Sequence, residues 1–225
     1  CLIGLIGAHV DDLLAVGDVT HELYVRKIEE LRKAFPFGSW KEAQKEAITF
    51  CGCTLTQFDD GSIELSQERY ADTISELNLT KERKQEKDSR LNENEKKQFR
   101  NILGALAWRA TQTAPWLSAS TSYLQGCFNE ATVDDALEQN KLVRAQQHYA
   151  NTPMHFSAKI RKPILVTFHD ASWSNRRDLS SQGGLFTVMT DEDILHGKVQ
   201  PFSPVSWQSK RLPRVCRSST AAEIQ

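Results

Sequence analysis

The sequence predicts an α+β fold, and three observations carry that expectation. Apolar runs broken by turn residues, the mark of strands, occupy residues 2–17 and 48–66 and return after residue 163. Between them, from residue 93 to 150, apolar side chains recur at helical spacing. With 225 residues, 40% of them hydrophobic and 25% charged, the chain is long enough for one or two domains with a sizeable core.

The first element is the run from Leu2 to Val16, two apolar stretches separated by Asp11 and Asp12, which reads as a β-hairpin with the acids at or next to its tip. Adjacent carboxylates repel, and neither flank offers a cation, so a divalent metal is the natural counter-charge. Hard oxygen ligands on a rigid strand edge are what two-metal phosphoryl transfer uses. A solvated Asp-Asp turn accounts for the same residues without chemistry and stays open.

Asp18 or Thr20 is placed to cap a helix with Tyr24, Ile28, Leu31 and Phe35 on one stripe, ended by Pro36 and Gly38. Residues 48–58 read as a strand, Asp60-Gly61 as a strong turn signal and residues 63–66 as the returning strand. Ser66 is then expected to cap a helix reaching Leu77, with Tyr70, Ile74 and Leu77 on one face. Residues 81–92 mix both charge signs and read as an exposed linker or a solvated helix face. Asn92 and Glu95 form a capping box before a helix bearing Phe99, Ile102, Leu103, Leu106 and Ala110, which Pro115 closes. Helices follow over residues 117–128 and 133–150. The second aligns Lys141, Arg144 and His148, a solvated face or a line suited to a phosphate backbone.

Strands are expected at residues 164–170, 183–190 and 204–209, with Asp170 ending the first and Glu223 in the helix that closes the chain. Asp170 also reads as a strand-terminal turn residue, and Glu223 as the back half of a capping box begun by Thr220. Between residues 194 and 217 the charged residues are Lys198, Lys210, Arg211, Arg214 and Arg217, a basic run that suits phosphates. Cysteines at 1, 51, 53, 127 and 216 are odd in number and scattered, which favours free thiols in a reducing compartment. Cys51 and Cys53 would share one face of a strand, but no second pair completes four metal ligands. The net charge of −1 neither supports nor excludes nucleic acid, and no apolar run is long enough to span a bilayer. An intracellular protein, neither secreted nor membrane-bound, is expected.

Several of these residues together resemble a known family. Residues 7–17, with His9, Val10, Asp11 and Asp12, look like the palm hairpin of reverse transcriptases, with His9 where that family usually has Tyr. In order behind it come Phe50-Cys51-Gly52, Leu65-Ser66-Gln67 and the run from Phe99 to Trp108, similar to copia-type retrotransposon polymerases. Residues 112–116 depart from that family's usual Thr-Arg-Pro-Asp. Asp170-Ala171 with Trp173, then Trp207-Gln208-Ser209-Lys210, Ser218-Ser219-Thr220 and Glu223, resemble the opening half of a copia-type ribonuclease H.

The resemblance implies the C-terminal part of a palm at 1–66, a thumb start and charged linker at 67–92, a helical connection at 93–162 and the first part of a ribonuclease H-like domain at 163–225. It implies RNA-templated DNA synthesis with hydrolysis of the RNA strand of RNA–DNA hybrids. Asp11 and Asp12 would hold magnesium, or manganese, for the polymerase, and Asp170 and Glu223 for the nuclease, with two ions in each complete site. His9, Phe50, Gly52, Lys210, Arg211 and Arg214 would meet nucleic acid. The implied partners are an RNA template, a DNA primer, the RNA–DNA hybrid, deoxynucleoside triphosphates and the remainder of a parent polyprotein. Each active site needs further acids, expected outside residues 1–225, so the chain alone is expected neither to polymerise nor to cleave. A non-catalytic nucleic-acid-binding remnant is the alternative, and an unrelated α+β protein with incidental acids a third reading.

Overall fold

The computed structural model describes residues 2–224 and has a mixed α+β architecture of helices and antiparallel sheets. Cys1, expected as a free thiol, lies outside the described residues. Strands β1 (Gly4–His9) and β2 (Asp12–Gly17) form the expected hairpin, and α1 (Glu22–Ala34) follows. Helix and hairpin meet where neither strand has a side chain. A methyl group on Gly4 would stand 2.5 Å from Tyr24 Cδ2, and one on Gly17 would overlap the same ring. Tyr24, Ile28 and Leu31 are the half-buried positions of α1, as their spacing predicts, yet no residue of this helix is fully buried.

The cap of α1 is His21, whose Nδ1 accepts from Leu23 N at 3.3 Å, rather than Asp18 or Thr20. Asp18 is already engaged: its carboxylate accepts from both the amide and the hydroxyl of Thr20, at 2.9 and 2.6 Å, closing a local turn before the helix.

A second sheet runs in the order β3 (Ile48–Phe50), β4 (Cys53–Gln57), β5 (Ile63–Ser66) and β6 (Met154–Phe156), antiparallel throughout. The expected single strand over 48–58 is folded in two, because Cys51 (φ 50°) and Gly52 (φ 72°) are both left-handed and make a two-residue hairpin turn. The turn at Asp60-Gly61 forms as read, with the Asp60 carboxylate accepting from the amide and hydroxyl of Ser62. Strand β6 lies within the region expected to be helical. Three residues of Met-His-Phe are too short to show a period.

Helix α2 (Glu68–Thr73) stops short of Leu77, so Ile74 and Leu77 are buried from an irregular segment. That segment stays folded because α5 (Val133–His148) lends it amide side chains. Asn140 both accepts from Leu77 N, at 2.8 Å, and donates to Leu77 O, at 2.9 Å. Gln146 and Gln147 donate to the carbonyls of Ala71 and Ile74. Residues 81–92 are mostly exposed, as expected, but they are tied down at Arg83 and Leu91. Arg83 reaches both oxygens of Glu95 at 2.9 Å, together with Glu86, Ser89 and the Arg90 carbonyl, while Leu91 is buried.

The capping box at Asn92 and Glu95 starts α3 (Glu93–Gln112), and α4 (Ser118–Gly126) and α5 complete the helical part. Phe99, Leu103, Leu106 and Ala110 of α3 are buried against Leu77, Leu79, Leu124, Val133 and Val143, and this is the main core. The last sheet, β7 (Pro163–Ser172), β8 (Gln182–Asp191) and β9 (Phe202–Arg211), docks on those helices. The Trp207 indole donates to Ala110 O at 2.6 Å, and Arg177 grips both oxygens of Asp135. Helix α6 (Ser219–Glu223) packs beside β7. Among the described residues no helix is long and apolar enough to cross a membrane.

Candidate functional site

The two acid-bearing regions are built differently. In the hairpin, His9 pairs with Asp12, which leaves residues 10 and 11 as the turn: Asp11 is at the tip and Asp12 opens β2. Val10 takes φ 56°, a strained conformation for a β-branched residue, and is 93% exposed, so no packing of its side chain offsets the strain. Asp11 and Asp12 are exposed, and among the described residues their carboxylates make no hydrogen bond or ion pair. Two unengaged neighbouring carboxylates are a donor set that fits a hard, hydrated divalent cation.

His9 and Asp12, as cross-strand partners, share one face of the hairpin. On that face the His9 ring meets Phe50 edge-on, with centroids 6.5 Å apart and planes at 71°. The structure thus brings His9 to Phe50, at the start of the turn containing Gly52, although His9 lies far from both in sequence. Gly52 belongs to a hairpin turn and not to a strand. The same turn corrects the cysteine geometry. Cys51 sits in the turn, half-buried, and Cys53 opens β4, buried, so the two do not alternate along one strand. Burial, with Cys51 nearby, pushes the Cys53 thiol up to about 11.

At the other end, Ser218 and not Thr220 caps α6, accepting from Ala221 N at 3.1 Å, so Glu223 is not a capping-box residue. Its carboxylate instead accepts from the Ala171 amide at 3.2 Å, and His169 Nδ1 stands 3.9 Å from its other oxygen. Packing and a hydrogen bond close to the two acids support this contact. Ala171 packs with Ala222 and Leu212, and the Trp173 indole donates to Cys216 O at 2.9 Å, fixing the chain just ahead of α6. Asp170 is exposed on β7, one residue before Ala171 and opposite Gly184. Strand alternation turns its side chain to the face opposite Ala171 and His169.

The basic run is partly neutralised by acids from outside it. Arg211 pairs with Asp178 at 3.1 Å and Lys198 with Asp193 at 2.8 Å. Lys210 and Arg214 are exposed with no ion pair among the described residues. On α5, Lys141 and Arg144 are also paired, with Glu138 and Glu76, which favours the solvated-face reading of that line. Among the described residues no three or more of His, Cys, Asp and Glu gather as a metal-binding group.

Sequence reasoning passed over His169 and Arg177. His169 was legible as a neighbour of Asp170, whereas Arg177 finds its partner 42 residues away and leaves no local signal. Compared with family models, curated proteins and solved structures, the chain matches none.

Proposed function

We propose that the chain is part of a reverse transcriptase with an attached ribonuclease H, of the kind encoded by copia-type retroelements. The observation that carries this reading is the seating of Glu223 on the Ala171 amide. It brings an acid from the closing helix to the backbone next to Asp170 on the first strand of the sheet, with the Asp170 side chain on the other face of that strand. The meeting of His9 with Phe50 beside the Asp11–Asp12 turn supports the polymerase half in the same way.

In this reading Asp11 and Asp12 would hold magnesium at the hairpin tip, and Asp170 and Glu223, the latter also facing His169 Nδ1 at 3.9 Å, would each offer a carboxylate to it from opposite faces of β7. When bound, the metal stabilises charge on the attacking and leaving oxygens of a phosphoryl transfer. The chain's own residues do the positioning: the strained turn projects Asp11, and Ala171 N–H and Trp173 hold Glu223 against the strand. The partners are an RNA template, a DNA primer, deoxynucleoside triphosphates and the RNA–DNA hybrid.

Manganese titration followed by nuclear magnetic resonance tests the acids directly. Amides around residues 10–13 and around 169–172 and 222–224 should broaden first. Asp11→Asn should remove the first set and Asp170→Asn the second. Broadening that is uniform over the surface overturns the assignment. In a polypeptide carrying complete active sites, Asp11→Asn should lower primer extension by more than about a hundredfold. It should also cost more than Asp12→Asn. Equal tolerance of both changes would instead favour the non-catalytic remnant.

A further inference from the structure

The first two turns of α3 carry a cationic groove that the acid sites do not use. Glu93, Lys96, Lys97 and Arg100 recur at three- and four-residue spacing and so share one helix face, against Phe128 and Asn129 from the turn after α4. These six residues line an open groove of about 390 Å³. Lys96 is paired with Glu93 at 3.1 Å, and the nearby Glu130 is taken by Arg90 at 3.4 Å. Lys97 and Arg100 have no ion pair or hydrogen bond among the described residues, so two positive charges remain uncompensated. The Arg100 guanidinium lies over the Phe128 ring, 5.0 Å from its centroid. This contact restrains the side chain while leaving its N–H donors free.

The geometry points to a phosphate-binding groove at Lys97 and Arg100 that takes the phosphodiester backbone of a nucleic acid. Phosphate oxygens match both free donors, and guanidinium is the side chain best shaped to hold them. The aromatic face is already covered by Arg100, which leaves no ring for a base to stack on. The groove is open and offers only Asn129 as an uncharged polar side chain, so it reads charge along a backbone and not base identity. This inference rests on the nucleic-acid reading above but not on the acids, and it extends the contact surface onto the helical part of the molecule.

The test is fluorescence anisotropy of the whole chain with a labelled RNA–DNA hybrid, titrated at several potassium chloride concentrations in EDTA so that metal sites stay silent. Lys97→Ala and Arg100→Gln, both at exposed positions, should each weaken binding about three- to tenfold. Each should lower the slope of log affinity against log salt by about one. Lys33→Ala, on α1, should change neither. Unchanged affinity and slope in both groove variants overturn the proposal. So does competition by inorganic phosphate or a deoxynucleoside triphosphate as effective as unlabelled hybrid, since the site would then serve free phosphates. Manganese broadening at the acids is a separate readout, so failure of one reading leaves the other standing.

Discussion

Arg83 shows how much a single side chain decides in this molecule. It ties residues 81–92 to the start of α3 through the two oxygens of Glu95, which is itself the back half of the capping box. Arg83→Ala should therefore cost about 2 kcal/mol of stability, measured by urea unfolding. The hydrogen bonds from Arg83 hold the Glu95 carboxyl below its ordinary value of 4.5. A carboxylate that binds its proton less tightly when folded stabilises the fold above its unfolded pKa and stops doing so as pH falls through the folded one. The wild type should lose stability below about pH 4.5 more steeply than Glu95→Gln, which lacks that titration. The two thiols of the 51–53 turn separate at the same scale. With Cys53 pushed up to about 11 and buried, iodoacetamide near pH 8 should label Cys51 well before Cys53, as peptide mass spectrometry would read. The capping box at Asn92 was legible because its partners are three residues apart. The fate of Arg83 was not, because Glu95 lies twelve residues on and nothing between them marks the contact.

At the scale of elements, the sequence shows a helix most clearly where its buried face is apolar. The stripe of α3 could be read directly and is buried as expected. In α5 the buried positions include Asp135, Gln139, Asn140 and Gln146, which a search for apolar periodicity counts as surface. Their role follows from the irregular segment after α2, whose backbone groups would otherwise be buried without partners. Asn140→Leu strands the amide and carbonyl of Leu77 together, so it should destabilise by about 2–4 kcal/mol in thermal or chemical unfolding despite adding apolar surface. The division of residues 48–58 into two strands was hidden for a related reason. Cys-Gly is not among the dipeptides that announce a two-residue hairpin, and the strong Asp60-Gly61 signal nearby accounted for the reversal by itself.

Across the whole molecule, burial is uneven. The fully buried apolar side chains are concentrated between residues 71 and 154, whereas among the described residues of β1, β2 and α1 none is fully buried. Amide hydrogen exchange should follow this, with α3 and α5 protected far longer than the hairpin that carries Asp11 and Asp12. The candidate site was legible as residue types, since paired acids on strand ends stand out in any sequence. What could not be read was which residues meet: His9 with Phe50 depends on a turn at residues 51 and 52, and Glu223 with Ala171 on an indole anchored to Cys216. One attachment of the C-terminal sheet to the helices passes through Asp135, whose carboxylate accepts from the amide of the N-cap residue Thr132 at the start of α5 and is also clasped by Arg177 from the loop between β7 and β8. One carboxylate thus serves two parts of the molecule, and a change at Asp135 would fray the start of the helix and remove one of the sheet's anchors in a single event, leaving Trp207 on Ala110 O in place.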